Sequence, residues 1–155
     1  FRMTKKIFLL LSFFIICYTA ISQTTWINIE DLQTEFILEK RPILVFIYTE
    51  WCKVCKIQDE TVFKNDTISK LIEKNYYAIR INAESLEKYS FFSREYDGSN
   101  GNSYNQLAVY LGSSRGKLSF PTTTILNENL DLVFKEPSKL SLMEMKTVLN
   151  AVVSN

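Results

Sequence analysis

Ile43-Leu44-Val45-Phe46-Ile47-Tyr48-Thr49-Glu50-Trp51-Cys52-Lys53-Val54-Cys55-Lys56 is the stretch that decides how this chain reads. Its first six residues are an unbroken apolar run, the pattern of a strand buried on both faces. Thr49-Glu50-Trp51 leads out of that strand, and a helix is expected from Cys52 to Phe63. The two cysteines therefore stand at a strand-to-helix junction. A cysteine at a helix N-terminus faces unpaired backbone N–H groups and the positive end of the helix dipole, and both stabilise a thiolate. Cysteines three apart lie one turn from each other and can close a small disulfide ring. The first is then placed to attack a substrate disulfide, and the second to resolve the mixed disulfide. Lys53 and Lys56 add positive charge that favours the thiolate further.

Other uses of such a pair are constrained by composition. The chain of 155 residues contains no histidine and three cysteines, one of them at position 17. A structural zinc site needs four ligands, which Cys52 and Cys55 cannot complete from cysteine and histidine alone. Haem attachment would need histidine after the second cysteine, where Lys56 stands. A disulfide with no catalytic role stays open, although a ring this small constrains an unfolded chain little.

Moving outward, Trp26 to Ile29 reads as a short strand and Asp31 to Lys40 as a helix, stopped by Arg41-Pro42. After the cysteine helix, Asn65-Asp66-Thr67 is a turn that caps a helix over Ile68 to Lys74. Tyr76 to Ile81 is the next strand. Glu84 to Tyr96 is helical in propensity and carries Tyr89, Phe91, Phe92 and Tyr96, which read as core. Asp97 to Asn102 is a polar loop, and Ser103 is expected to cap a helix ending at Leu111. Phe120-Pro121-Thr122 opens a β-branched run to Leu126, and Asn127-Glu128-Asn129 turns it into a hairpin with Leu130 to Phe134. Ser141 and Glu144 form a capping box before a helix whose stripe is Leu142, Met145, Leu149 and Val152. The order β-α-β-α-β-α, then a hairpin and a closing helix, implies an α/β fold with parallel strands covered by helices.

Hydrophobic residues make up 46% of the chain and charged residues 23%, enough apolar material for one ordinary core. Net charge is +1, and without Arg2, Lys5 and Lys6 acids outnumber bases by two. That balance carries no basic face for nucleic acid. Residues 1–22 read as a secretory signal: Met3 fits an initiator, Ile7 to Ile16 an apolar core, and Ala20-Ile21-Ser22 a cleavage site before Gln23. The apolar stretch is short for a membrane span. Cys17 falls inside the signal, and Ile16 before it is not the small residue of a lipoprotein site. The mature domain, 23–155, is thus expected to carry two cysteines into the periplasm or cell envelope, where disulfides can persist.

Tyr48 to Lys56 resembles the active-site segment of the thioredoxin superfamily, and Phe120-Pro121-Thr122 resembles its second fingerprint, a cis-proline that opens a strand. The proline follows Cys55 by 66 residues. With the element order, the likeness covers essentially all of 23–155. It is similar to exported thioredoxin-like domains, in particular the C-terminal domain of the membrane thiol:disulfide interchange reductases. The resemblance implies a central mixed sheet flanked by helices, with an enlarged helical segment before the proline strand. It implies that Cys52 is the nucleophile and Cys55 the resolving thiol, with no metal and no cofactor. Trp51, Phe120, Pro121 and Thr122 would line the substrate groove. The expected partners are protein or peptide thiols and disulfides, with a membrane electron donor behind them. The expected activity is that of an exported thiol–disulfide oxidoreductase, reducing or isomerising disulfides. A dedicated reductase for one client such as an apocytochrome and a non-catalytic binding module are the alternatives. A copper chaperone of this fold is disfavoured by the missing histidine. One departure stands out: thioredoxins usually carry a buried acid six residues before the first cysteine, and here that residue is Phe46. Glu50, a lysine or water are left as candidates to handle the Cys55 proton. Lys53-Val54 also replaces the usual Gly-Pro between the cysteines.

Overall fold

A computed structural model describes residues 24–101 and 103–154. The expected signal at 1–22, with Cys17, lies outside the described residues. The apolar run Ile43–Tyr48 (β1) is the centre of a four-stranded sheet ordered β2-β1-β5-β6, with β2 at Tyr77–Asn82, β5 at Thr122–Leu126 and β6 at Leu132–Glu136. β1 pairs parallel with β2 and antiparallel with β5, and β5 pairs antiparallel with β6. The sheet is therefore mixed, as the element order implies.

Because side chains alternate along a strand, β1 feeds two half-cores. Ile43, Val45 and Ile47 face one of them, covered by the helix Ile29–Leu38 (α1). Leu44 and Phe46 face the other, together with both cysteines. That second half-core is covered by Lys53–Gln58 (α2), Asp66–Asn75 (α3) and, after β6, the closing helix. All five of these β1 side chains are essentially solvent-free, each worth about 1.5–3 kcal/mol relative to exposure. Asn65 caps α3 by accepting from Thr67 and Ile68 N–H, which directs Ile68 and Ile72 inward. The closing helix carries the capping box of Ser141 and Glu144 and buries Met145 and Leu149. Leu142, expected on the same stripe, is exposed.

Other local expectations are corrected as well. Trp26 to Ile29 is not a strand: Ile27 N–H donates to Ala78 O at 2.8 Å without forming a ladder among the described residues, and Ile29 already begins α1. The cysteine helix is α-helical only to Gln58, after which Asp59–Phe63 widens into a π-helical turn. The largest change falls in Glu84 to Tyr96, which is not a helix. It is a hairpin of Tyr89–Phe91 (β3) and Arg94–Tyr96 (β4). Phe92 and Ser93 make its turn with φ of 47° and 65°. Left-handed φ at both turn residues suits the twist of a hairpin, but it is usually announced by asparagine or glycine. Here packing supports it instead. The Phe92 ring meets Phe36 and Phe91 edge-on, and the Ser93 N–H donates to Gln33 Oε1 at 3.1 Å.

The helical part before the proline strand is accordingly short: Gln106–Gly112 (α4). Its cap is Asn105, not Ser103. Asn105 is fully buried. It accepts from Leu107 N–H while its Nδ2 donates to the carbonyls of Ser85 and Glu87. Its own N–H reaches Ala83 O at 2.8 Å. These bonds fasten the segment to the end of β2. Gly98 passes so close to Leu86 that an added Cβ would lie 2.0 Å from its carbonyl oxygen, so only glycine fits. Phe91 and Tyr96 are buried against α1 and α4, as their aromatic character suggested. The closing helix, Leu142–Val153, is α5.

Candidate functional site: the Cys52–Cys55 disulfide

The turn out of β1 is short. Cys52 N–H donates to Thr49 O at 3.2 Å, which folds Glu50 and Trp51 into a tight corner. Cys52 then serves as the N-cap of α2, with extended backbone angles, and its Sγ accepts from Cys55 N–H at 3.1 Å. The two sulfurs are bonded as a disulfide, with Cα atoms 5.3 Å apart. A backbone N–H aimed at Sγ favours negative charge on that sulfur once the bond is opened. Cys52 and Cys55 are 4% and 2% exposed, so the oxidised pair is almost covered.

The surface around the pair is apolar and aromatic. Trp51 is 61% exposed, and Val54 and Ile57 of α2 also face solvent. Trp51 meets Phe120 edge-on at 5.9 Å between ring centroids. Phe120 packs against both half-cores, including the one that holds the cysteines. Its bond to Pro121 is cis, and Pro121 and Thr122 are buried behind it. The Thr122 hydroxyl donates to Ser119 O at 2.7 Å, so its side chain closes the loop rather than facing a ligand. Lys53 and Lys56 are exposed.

Behind Cys55 lies a cleft of about 270 Å³ whose lining includes Phe46, Tyr48, Glu50, Asp59 and Arg80. Phe46 occupies the place of the usual buried acid and is locked among aromatics, 4.8 Å from Phe63 and 5.9 Å from Tyr48 between centroids. Arg80 pairs with Phe46 in the β1–β2 register. Its guanidinium lies over the rings of Tyr48 and Trp26 at 4.7 and 5.5 Å. Burial pushes the Tyr48 phenol above its ordinary range, against the opposing effect of Arg80. Glu50 is exposed at the cleft mouth. Among the described residues no group of three or more cysteine, aspartate and glutamate side chains is placed to hold a metal.

The chain matches a thioredoxin-like domain family over residues 30–153. It belongs to that family. No characterised protein sequence matches it significantly. Among solved structures it is similar to a thioredoxin from Thermus thermophilus, with 16% identity over 84% of this chain and 87% of that one, and a TM-score of 0.60. DsbH oxidoreductase gives 10% identity over 87% and 88%, with a TM-score of 0.59. A disulphide isomerase from Xylella fastidiosa Temecula1 gives 17% identity over 79% and 88%, with a TM-score of 0.52. At such identities these structures speak for the thioredoxin fold. Family membership together with the Cys52–Cys55 disulfide supports thiol–disulfide redox chemistry in this thioredoxin-like domain.

Sequence reasoning singled out Cys52, Cys55, Trp51, Phe120, Pro121 and Thr122, and the fold gathers all six at one end of the sheet. It passed over Arg80, Glu84 and Tyr104. Trp51 Nε1–H donates to Glu84 Oε1 at 2.9 Å, and Tyr104 meets Phe120 edge-on at 5.2 Å. Register could have suggested Arg80, since it sits on the strand next to Phe46. Nothing local marks the other two.

Proposed function

We propose that this domain is an exported thiol–disulfide oxidoreductase that reduces or isomerises disulfides of extracytoplasmic proteins. The supporting observation is the Cys55 N–H bond to Cys52 Sγ, in a disulfide that sits beside exposed Trp51 and half-buried Phe120. In the reduced enzyme the Cys52 thiolate attacks a substrate disulfide, forming a mixed disulfide and releasing one substrate thiolate. Cys55 then loses its proton and attacks Cys52 Sγ. This re-forms the Cys52–Cys55 bond, and the second substrate sulfur leaves as a thiolate. The substrate gains two electrons and the enzyme loses two, which a membrane electron donor restores. Trp51 and Phe120 offer the client an apolar floor, and the backbone at Phe120 to Thr122 offers it an extended edge. With Phe46 in place of an acid, the Cys55 proton passes to the polar cleft that Glu50 and Asp59 line.

A purely structural disulfide is the second reading, favoured by the near-complete burial of both cysteines. Insulin reduction by the purified mature domain in the presence of dithiothreitol, with the Cys52–Cys55 reduction potential measured alongside, tests the proposal. Turnover well above the uncatalysed rate supports it. No acceleration, with a potential too low for physiological reductants, favours the structural reading.

A further inference from the structure

The segment between β2 and α4 is longer than the fold needs, and it reaches the groove at two points. Glu84 accepts from Trp51 Nε1–H, and Tyr104 packs on Phe120. Between them lies an open pocket of about 490 Å³ lined by Glu84, Ser99, Gly101, Ser103 and Tyr104. Its two flanks are held in place: Ser99 N–H donates to Ser85 O at 2.8 Å, Gly98 is wedged against Leu86, and buried Asn105 ties down the far end. Besides Gly101, the lining side chains are a carboxylate, two serines and a tyrosine. That set complements a cation: the carboxylate supplies charge, the hydroxyls accept, and the ring face attracts an ammonium or guanidinium.

We propose that this pocket is a specificity subsite that takes a lysine or arginine side chain of the client polypeptide. The assignment rests on the oxidoreductase reading and adds to it which clients are preferred. Trp51 adjoins the nucleophilic cysteine, and the chain of ring contacts from Trp51 through Phe120 to Tyr104 spans at most about 11 Å, or roughly three residues of extended peptide. The basic residue therefore lies within about three positions of the client cysteine. The Trp51–Glu84 bond couples groove and subsite, because it orients the indole and the carboxylate together.

The test is a binding measurement that needs no turnover. Ten-residue peptides with serine in place of the client cysteine, and with lysine, glutamine or glutamate at each of the first three positions from it, are titrated into the oxidised domain by NMR. The lysine peptide should bind about threefold to fivefold more tightly than the glutamate peptide, the scale of a partly exposed ion pair. Glu84→Gln, whose amide oxygen can still accept from Trp51, should remove that preference, and Glu84→Lys should reverse it. Equal binding of all three peptides, or a lysine preference that survives Glu84→Lys, overturns the proposal. Insulin reduction by the unaltered domain is scored separately, so loss of the oxidoreductase reading and loss of the subsite are distinguishable.

Discussion

Gln58 Nε2–H donates to Thr123 Oγ1 at 3.1 Å, joining the helix that carries both cysteines to the strand that follows Pro121. The same side chain accepts from Leu140 N–H at 3.0 Å through its Oε1. Gln58 is fully buried, so one amide satisfies two otherwise stranded groups and holds α2, β5 and the approach to α5 in register. Replacing it with leucine keeps the volume and leaves the Thr123 hydroxyl and the Leu140 N–H without partners. Gln58→Leu should cost about 2–4 kcal/mol, since each unmet group costs about 1–3. Urea denaturation of the oxidised domain measures it.

The two cysteines should separate by role. Cys52→Ser should abolish disulfide reduction, whereas Cys55→Ser should accumulate mixed disulfides with client proteins, because nothing remains to release them. In the reduced domain, iodoacetamide at neutral pH should modify Cys52 faster than Cys55, since the Cys55 N–H points at the Cys52 sulfur. Mass spectrometry of trapped complexes and of the alkylated protein reads both results. Equal, slow alkylation would count against a poised nucleophile.

The β3–β4 turn is under backbone strain at Ser93, where φ is 65°. A left-handed conformation costs an L-residue about 1–2 kcal/mol, and the extra freedom of glycine in the unfolded chain costs about 0.5–1. Ser93→Gly should therefore raise stability by about 0.5 kcal/mol. A small rise in thermal midpoint is the expected outcome, and a fall would mean that the Ser93 hydroxyl contributes more than the strain.

Tyr76 ties the start of β2 to the last helix: its hydroxyl donates to Leu149 O at 2.5 Å. Burial pushes its phenol well above the ordinary value. A raised folded-state value favours the protonated form, so the stability it contributes is complete below about pH 10 and falls as pH rises further. Tyr76→Phe should flatten that alkaline decline. Urea midpoints between about pH 8 and 11, compared for the two proteins, measure the difference.

The proposed export predicts a processed start. N-terminal sequencing of the protein recovered from the cell envelope should begin at or near Gln23, after Ala20-Ile21-Ser22. A soluble cytoplasmic protein that retains Met3 would contradict export.

The elements that could be read from residues alone are those whose periodicity and caps agree. β1 is uniformly apolar, α3 begins at a capping asparagine, and α5 begins at a capping box. The cysteine pair was legible for the same reason, because a buried strand immediately precedes it. Glu84 to Tyr96 misled because its aromatics support helix or strand alike, and its turn is stabilised by tertiary contacts of Phe92 and Ser93 rather than by turn-forming residues. Ser103 was the expected cap, and Asn105 takes that place. The choice was made by the carbonyls of Ser85 and Glu87, about twenty residues upstream. Glu84 and Tyr104 were hidden for that reason too, since only the folded hairpin and loop bring them to Trp51 and Phe120.

The alternation along β1 makes the sheet a bulkhead between two compartments. The sulfurs lie with Leu44 and Phe46 on one side, while the hairpin and α4 lie with Ile43, Val45 and Ile47 on the other. Phe120 touches both. The chemistry and the choice of client can then diverge independently. Changes in the length or composition of the 84–104 segment load the compartment without the disulfide, and they reach the reactive end through the rings of Phe120 and Trp51. A lineage of such domains could exchange clients by remodelling that segment alone, with the electron-transfer machinery inherited unaltered.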